Sequence, residues 1–413
     1  MAPALHIPRV PVYHAFVYSL AGRPLFETGH QGAKSEMAEK WQEKFNGVCR
    51  DLPATVARWK EKHRGKAVGW ALTDVPEELV IAAGALPAAL LAENVRLVEA
   101  DKHFQGFACS YSRSVLELLA AKQLEFLDGV IVPYICDTTR ALDLVVKFNQ
   151  FLPWTDCLRI PKTTVGQGIF PYYRQELERL RNRLAELTGH YPDAEEIRAA
   201  IIQVNRVKTR LDQIRALLRE KPGLIAAAEY FGAVRASLTL PKDEAAKLAD
   251  EFLADVEKRK PVSAASADST PVILAGKVAE PPAVVELIEA AGLRVVDDSL
   301  VLGGRYAAAR ADENADPMDA LVRRQLTQWP MVGVWDERPE RASFLIERAR
   351  ASRAKGAVFL VQKFCEPWEI DYPGMKEALD QEGIPSLRLE TEYQMGSLEP
   401  LRTRVEAFAE MLG

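Results

Sequence analysis

The side chains best suited to chemistry in this 413-residue sequence are five cysteines, at 49, 109, 136, 157 and 365. A thiolate is a nucleophile and a soft metal ligand, whereas a buried thiol is simply a small hydrophobe. Local setting separates the two roles. Cys109 lies in FACSYSRS (107–114), a small hydroxyl-rich turn just ahead of the helical run VLELLAAKQ. A helix N-terminus favours the thiolate there. Cys136 closes the β-rich run GVIVPYI, and Cys365 closes AVFLVQKF and is followed by EPWE. Ligands collect beyond the carboxyl ends of parallel strands. Cys109, Cys136 and Cys365 are therefore one candidate set, drawn from two distant stretches of chain, that could meet across a cleft. Cys49, near the end of the amphipathic SEMAEKWQEKFNGVCRDL, reads as a packed helix residue. Cys157, in PWTDCLRIPK, has no strand-end setting and reads as structural.

Spacing alone leaves ligand and core roles both open for the set, since there is no CxxC and no Cys/His pair of zinc-finger type. Ser110, Ser112, Asp137, Thr138 and Glu366 flank the cysteines. They could hydrogen-bond to metal-bound sulfur, or serve as ordinary turn and cap residues. His103, just upstream of Cys109, could donate a proton at the site or be a surface histidine. A GxxxxGK[ST] loop is absent, so ATP hydrolysis is not expected of this chain. VGQGIF (165–170) lacks the third glycine of a dinucleotide fingerprint, and GGRY (303–306) reads as a plain turn.

The elements that must position these residues follow from hydrophobic pattern. KAVGWAL, Val95–Ala100 and GVIVPYI read as strands, with PEELVIAAGALPAALL as a helix between the first two. After the linker KPVSAASADSTP come VILAG, RVVDD, MVGVW, AVFLVQ and SLRLE, again alternating with helical runs. Between the two alternating regions lie the long charged helices YYRQELERLRNRLAEL and AEEIRAAIIQVNRVKTRLDQIRALLRE. Gly189 serves as a stop, and Asp193 with Glu196 as a capping box. Their alternating acids and bases read as a solvated face. The expected fold class is α/β, with two Rossmann-like parallel-sheet domains, a helical N-terminal segment and an intervening helical segment. The expected boundaries are 1–64 for the N-terminal helical and extended segment and 65–150 for the first α/β domain with two of the candidate cysteines. A helical segment follows at 151–260, a linker at 261–271 and the second α/β domain with the third cysteine at 272–413.

With 48% hydrophobic and 27% charged residues the composition is that of an ordinary soluble protein. A net charge of −5 argues against a nucleic-acid partner. The longest apolar run, Leu79 to Ala92, is too short for a bilayer and is broken by Pro87, so no membrane partner is expected. MAPALHIPRVPVYHAF lacks the pattern of a secretory signal. An odd number of dispersed cysteines points to a reducing, cytoplasmic setting.

Around the cysteines the chain resembles the benzoyl-CoA reductase and 2-hydroxyacyl-CoA dehydratase family. HFQGFACSYSRSVLEL, FLDGVIVPYICDTTR and FLVQKFCEPWEIDYPGMKEAL look like that family's cysteine segments, in the same order. TDVPEELVIAAGALP and GSLEPLRTRVEAFAEML fit as well, so the likeness runs from about residue 50 to the C-terminus. It points to the C-type subunits of ATP-dependent (class I) benzoyl-CoA reductase. The resemblance implies that Cys109, Cys136 and Cys365 bind one [4Fe–4S] cluster per chain, leaving one iron without a protein thiolate. It further implies reduction of the ring of benzoyl-CoA by two electrons and two protons to a cyclohexadiene-carbonyl-CoA. ATP would be used by a partner rather than by this chain. The implied partners are a homologous iron–sulfur subunit, ATP-hydrolysing activator subunits, reduced ferredoxin as donor and an aromatic acyl-CoA as substrate. The same ligands would serve a 2-hydroxyacyl-CoA dehydratase acting through a ketyl radical. A non-catalytic electron-transfer or structural metal protein is the reading from a different class.

Overall fold

Two helices, α1 (Glu36–Arg50) and α2 (Leu52–His63), open the part of the chain that the computed structural model describes: residues 36–413, apart from 72–73, 93–94, 261–268 and 328–340. The expected strand MVGVW and most of the expected linker lie outside the described residues. α1 is held by its aromatic stripe, since Trp41 and Phe45 pack edge-on against Phe252 at 5.2 and 5.4 Å between centroids. α2 ends at Arg64, whose left-handed backbone (φ 51°) returns its N–H to the Lys60 carbonyl.

The first sheet contains β1 (Lys66–Trp70), β2 (Ala85–Ala89), β3 (Gly129–Tyr134) and β4 (Trp154–Arg159), with α3 (Glu77–Ala82), α4 (Ser110–Ala120) and α5 (Asp137–Asn149) among them. All neighbours are parallel and the order is β2-β1-β3-β4. β1 beyond the exposed Lys66 and β3 as far as Pro133 are buried, as strands of a parallel sheet with both faces covered are. Three sequence expectations change here. PEELVIAAGALPAALL is not one helix: Gly84 (φ 75°) ends α3, and Pro87, which cannot donate within a helix, lies in β2 at the sheet edge. Val95–Ala100 is not a strand. The Glu117 carboxylate of α4 accepts the N–H groups of Val98 and Ala100, both at 2.8 Å, so a side chain takes the bonds a neighbouring strand would take. The sheet also runs past residue 150, because the edge strand β4 pairs with β3 over its whole length and carries Cys157.

Four helices follow: α6 (Ile169–Thr188), α7 (Ala194–Glu220), α8 (Ala227–Thr239) and α9 (Lys242–Val256). Gly189 (φ 76°) closes α6. Asp193 and Glu196 form the capping box of α7, with bonds of 2.8 and 2.9 Å. At 27 residues α7 is about 40 Å long, enough to reach from the first sheet to the second.

The second sheet repeats the topology of the first. β5 (Thr270–Gly276), α10 (Ala283–Ala290), β6 (Leu293–Leu300), α11 (Tyr306–Ala308), α12 (Pro317–Thr327), α13 (Arg341–Ala351), β7 (Gly356–Gln362), α14 (Glu366–Gln381), β8 (Ser386–Thr391) and α15 (Glu399–Leu412) follow in turn. The strand order is β6-β5-β7-β8, all parallel. In each sheet the direction of winding reverses between the first and third strands, so the switch points lie at β1/β3 and β5/β7.

A buried ionic cluster joins these layers. Glu77 and Glu78 of α3 meet Lys242 of α9, at 2.5 Å from Glu77, and Arg324 of α12, which grips Glu78. Tyr306 donates its hydroxyl to Glu77 at 2.7 Å. Lys208 of α7 lies over the Tyr306 ring and donates to the Ala309 carbonyl at 2.7 Å. GGRY, read as a plain turn, belongs to this packed interior, with Gly303, Gly304 and Arg305 buried. A Cβ on Gly303 would fall 2.4 Å from the buried Asp298 carboxylate, which accepts the N–H groups of Leu300 and Gly304.

Candidate functional site

Each of the three candidate cysteines occupies the N-cap of a helix. Cys109 caps α4, Cys136 caps α5 and Cys365 caps α14. Cys136 and Cys365 hold the same topological place, directly after β3 and β7, at the switch points of their sheets. Each cysteine thus stands at the end of its helix where the first N–H groups have no intrahelical partner and the dipole is positive. Cys109 and Cys365 are buried and Cys136 is half-buried.

Electrostatics tie the three together. Cys365 is pushed up to about 12, first by burial and then by the negative charge of Cys109, with Cys136 adding in the same sense. The charge of Lys277 and the Trp368 N–H oppose that rise. Lys162 lies on the other side of the site: burial pushes its amine down, the charges of Cys136, Asp137 and Glu366 oppose that fall, and its ammonium lies 4.4 Å from the Tyr134 ring centroid. Direct bonds also cross between the halves, since the Tyr393 N–H donates to the Ser110 hydroxyl at 3.1 Å and the Gln394 amide to Ser114. The carboxyl ends of both sheets thus converge on one place. Cys49 and Cys157 behave differently. Burial raises both, Cys157 to about 11, and no other cysteine contributes.

Immediate neighbours orient the sulfurs. The Cys109 thiol donates to the Ser112 hydroxyl at 3.3 Å, and Ser110 is occupied by Tyr393. At Cys136 the bonding threonine is Thr139 rather than Thr138. Its hydroxyl accepts the N–H groups of Ile135 and Cys136 at 3.0 and 3.1 Å and donates to the Cys136 carbonyl at 2.9 Å. Asp137 is exposed, 3.6 Å from Arg140, and Glu366 is exposed beside Lys162. Phe364 adopts a left-handed backbone (φ 62°) that turns the chain into α14 and presents Cys365. His103 is exposed at the end of a short turn, its ring edge-on to Phe151 at 5.7 Å. Lys277, Lys162, Thr139 and Tyr111 are site residues that sequence reading did not single out.

Among the described residues no group of three or more His, Cys, Asp or Glu side chains is gathered to hold a single metal ion. The three thiols nonetheless make a coherent donor set. Cysteine sulfur is a soft donor, the kind that iron–sulfur clusters take as ligand. The residues present therefore fit such a group.

The sequence profile of the 2-hydroxyglutaryl-CoA dehydratase D-component family matches residues 72–412, a span that contains all three capped helices. The chain belongs to that family. Family relatives align along nearly their whole length. The C-type subunit of benzoyl-CoA reductase from Thauera aromatica is 27% identical over 373 residues, 88% of this chain and 95% of that protein. The (R)-phenyllactyl-CoA dehydratase beta subunit of Clostridium sporogenes is 24% identical over 379 residues, 91% and 99% of the two chains. The beta subunit of (R)-2-hydroxyglutaryl-CoA dehydratase from Acidaminococcus fermentans is 27% identical over 382 residues, 90% and 98%. Each relative is by name a subunit of a larger enzyme that acts on an acyl-CoA. Among the described residues no helix is long and apolar enough to cross a membrane.

Proposed function

We propose that this chain is the iron–sulfur subunit of an ATP-dependent benzoyl-CoA reductase, with Cys109, Cys136 and Cys365 holding one [4Fe–4S] cluster. The observation that carries the reading is the convergence of three N-cap cysteines from two sheets on one electrostatically coupled site. When bound, the cluster supplies low-potential single electrons. The chain's own residues do the rest. The three helix N-termini stabilise negative charge at the sulfurs, and Ser112 and Thr139 fix the orientation of two of them. Burial of Cys109 and Cys365 keeps water from the reduced site. His103 is the proposed proton donor, and being exposed it exchanges directly with water.

Phe107 and Phe364, beside Cys109 and Cys365, stay 68% and 42% exposed, and Ile370 of α14 stays 70% exposed. Apolar side chains left open around a redox site support docking of a homologous iron–sulfur subunit there. The rest of the assembly in this reading comprises ATP-hydrolysing activator subunits, reduced ferredoxin upstream and an aromatic acyl-CoA as substrate, in a reducing cytoplasm.

Two dehydratase subunits among the relatives favour a second reading, a 2-hydroxyacyl-CoA dehydratase subunit built on the same ligands. The test is to assay the purified complex with benzoyl-CoA and with a 2-hydroxyacyl-CoA. Ring reduction supports the reductase, loss of the 2-hydroxyl group supports the dehydratase, and failure to bind either acyl-CoA overturns both.

A further inference from the structure

Lys277 directly follows β5, and its backbone carbonyl accepts the Leu302 N–H at 3.0 Å, which pins it at the switch point of the second sheet. It is 8% exposed. Its ammonium rests 4.0 Å from the ring centroid of Tyr111, in the first turn of α4, two residues beyond Cys109. Tyr111 is itself fixed, with its hydroxyl donating to the Leu90 carbonyl at 2.7 Å and its ring edge-on to Tyr393 at 5.5 Å. Lys277 makes no ion pair among the described residues. The nearby Glu280 is taken by Arg235 at 2.9 Å. A buried lysine attached to one sheet thus lays a positive charge with no ion-pair partner against the first turn of the helix that Cys109 caps beside the other sheet.

We propose that Lys277 is a positioning residue for charge that raises the reduction potential of the cluster held by Cys109, Cys136 and Cys365. The inference rests on the cluster reading above. Reduction adds one negative charge to the cluster, and a cation held in a poorly solvated site stabilises the reduced form more than the oxidised one. A buried aromatic face keeps the ammonium in place without neutralising it, as a carboxylate would.

The test compares wild type, Lys277→Met and Lys277→Arg, purified anaerobically with their partner subunits. Iron and acid-labile sulfide are counted first, and the cluster is then titrated without substrate by electron paramagnetic resonance. Methionine keeps the length and packing of the side chain and removes the charge, whereas arginine keeps the charge. At the wild-type midpoint potential, the ratio of reduced to oxidised cluster in Lys277→Met should fall at least about tenfold. That corresponds to a potential about 59 mV more negative for one electron. Lys277→Arg should stay within about threefold of wild type, since its charge remains. An unchanged ratio in Lys277→Met at full iron content overturns the inference, as does an equal shift in both variants. Loss of iron from Lys277→Met alone makes Lys277 a structural residue and overturns it too. Wild type with neither iron nor sulfide overturns the cluster reading underneath, an outcome visible before any titration.

Discussion

Removing the charge of Glu78 should cost this protein a large part of its stability. Glu78 and Arg324 pair with side chains only 1% and 8% exposed, and the second carboxylate oxygen of Glu78 has no hydrogen-bond partner. Burial, the largest single influence, pushes the Glu78 carboxyl up. The Arg324 and Lys208 charges together with the Arg324 hydrogen bond outweigh it, so the group is held below its ordinary value. Its ionised form is therefore the one folding favours, and that contribution fades only as acid protonates it. Glu78→Gln keeps the shape and leaves the Arg324 guanidinium buried without its paired carboxylate. Breaking a buried pair from one side costs about 3–5 kcal/mol, against a total of roughly 5–15 kcal/mol for a typical domain. Arg324→Met should cost a similar amount by stranding the carboxylate. The double variant Glu78→Leu/Arg324→Met removes both charges and should be less destabilised than either single one, because an apolar pair in place of a buried ion pair is near neutral. Urea unfolding followed by circular dichroism, extrapolated linearly to water, measures all three. Singles that cost less than about 1 kcal/mol, or a double variant that costs their sum, would refute a buried pair as the tie between α3 of the first sheet and α12 of the second.

Three further outcomes follow from the same structure. Cys109→Ser, Cys136→Ser and Cys365→Ser should each lose or degrade the cluster, since a hard hydroxyl replaces a soft thiolate, whereas Cys49→Ser and Cys157→Ser should keep it. Equal iron loss from all five would mean that the ligand assignment is wrong. Lys208 is pushed down to about 7, chiefly by burial and then by Arg324, against the pull of Glu78 and Glu77. The unfolded chain therefore binds more protons than the folded one above that pH, so stability should rise as pH climbs from 7 towards about 10. Lys208→Met should flatten the rise, and identical slopes in the two proteins would count against it. The isolated chain, even with its cluster intact, should not reduce the ring with a mild donor. Turnover should require the homologous subunit, the activator and ATP together, and omission of each in turn is the assay.

The local setting of the three candidate cysteines was legible in the sequence. Cys136 and Cys365 stand at the ends of short β-rich apolar runs that fit buried parallel strands, and Cys109 stands in a turn before a helical run, so their place at element ends followed from local pattern. Lys277 was not legible, because its role depends on Tyr111 from the other sheet. Thr139 was passed over for Thr138 because a cap bond depends on the residue at which the helix begins. In the fold, β4 escaped notice because an edge strand alternates in burial and is flanked by prolines. β2 was absorbed into a helix because an apolar run of alanine and leucine carries no period of its own until Gly84 and Pro87 are weighed. The repeated strand order of the two sheets was invisible for a related reason, since topology is set by which strands pair and not by similar residues.

The most direct measurement is the iron and acid-labile sulfide content of the protein purified without oxygen. The three capped cysteines predict about four irons and four sulfides per chain, the content of one [4Fe–4S] cluster. One zinc per chain with no acid-labile sulfide would contradict the account at its centre.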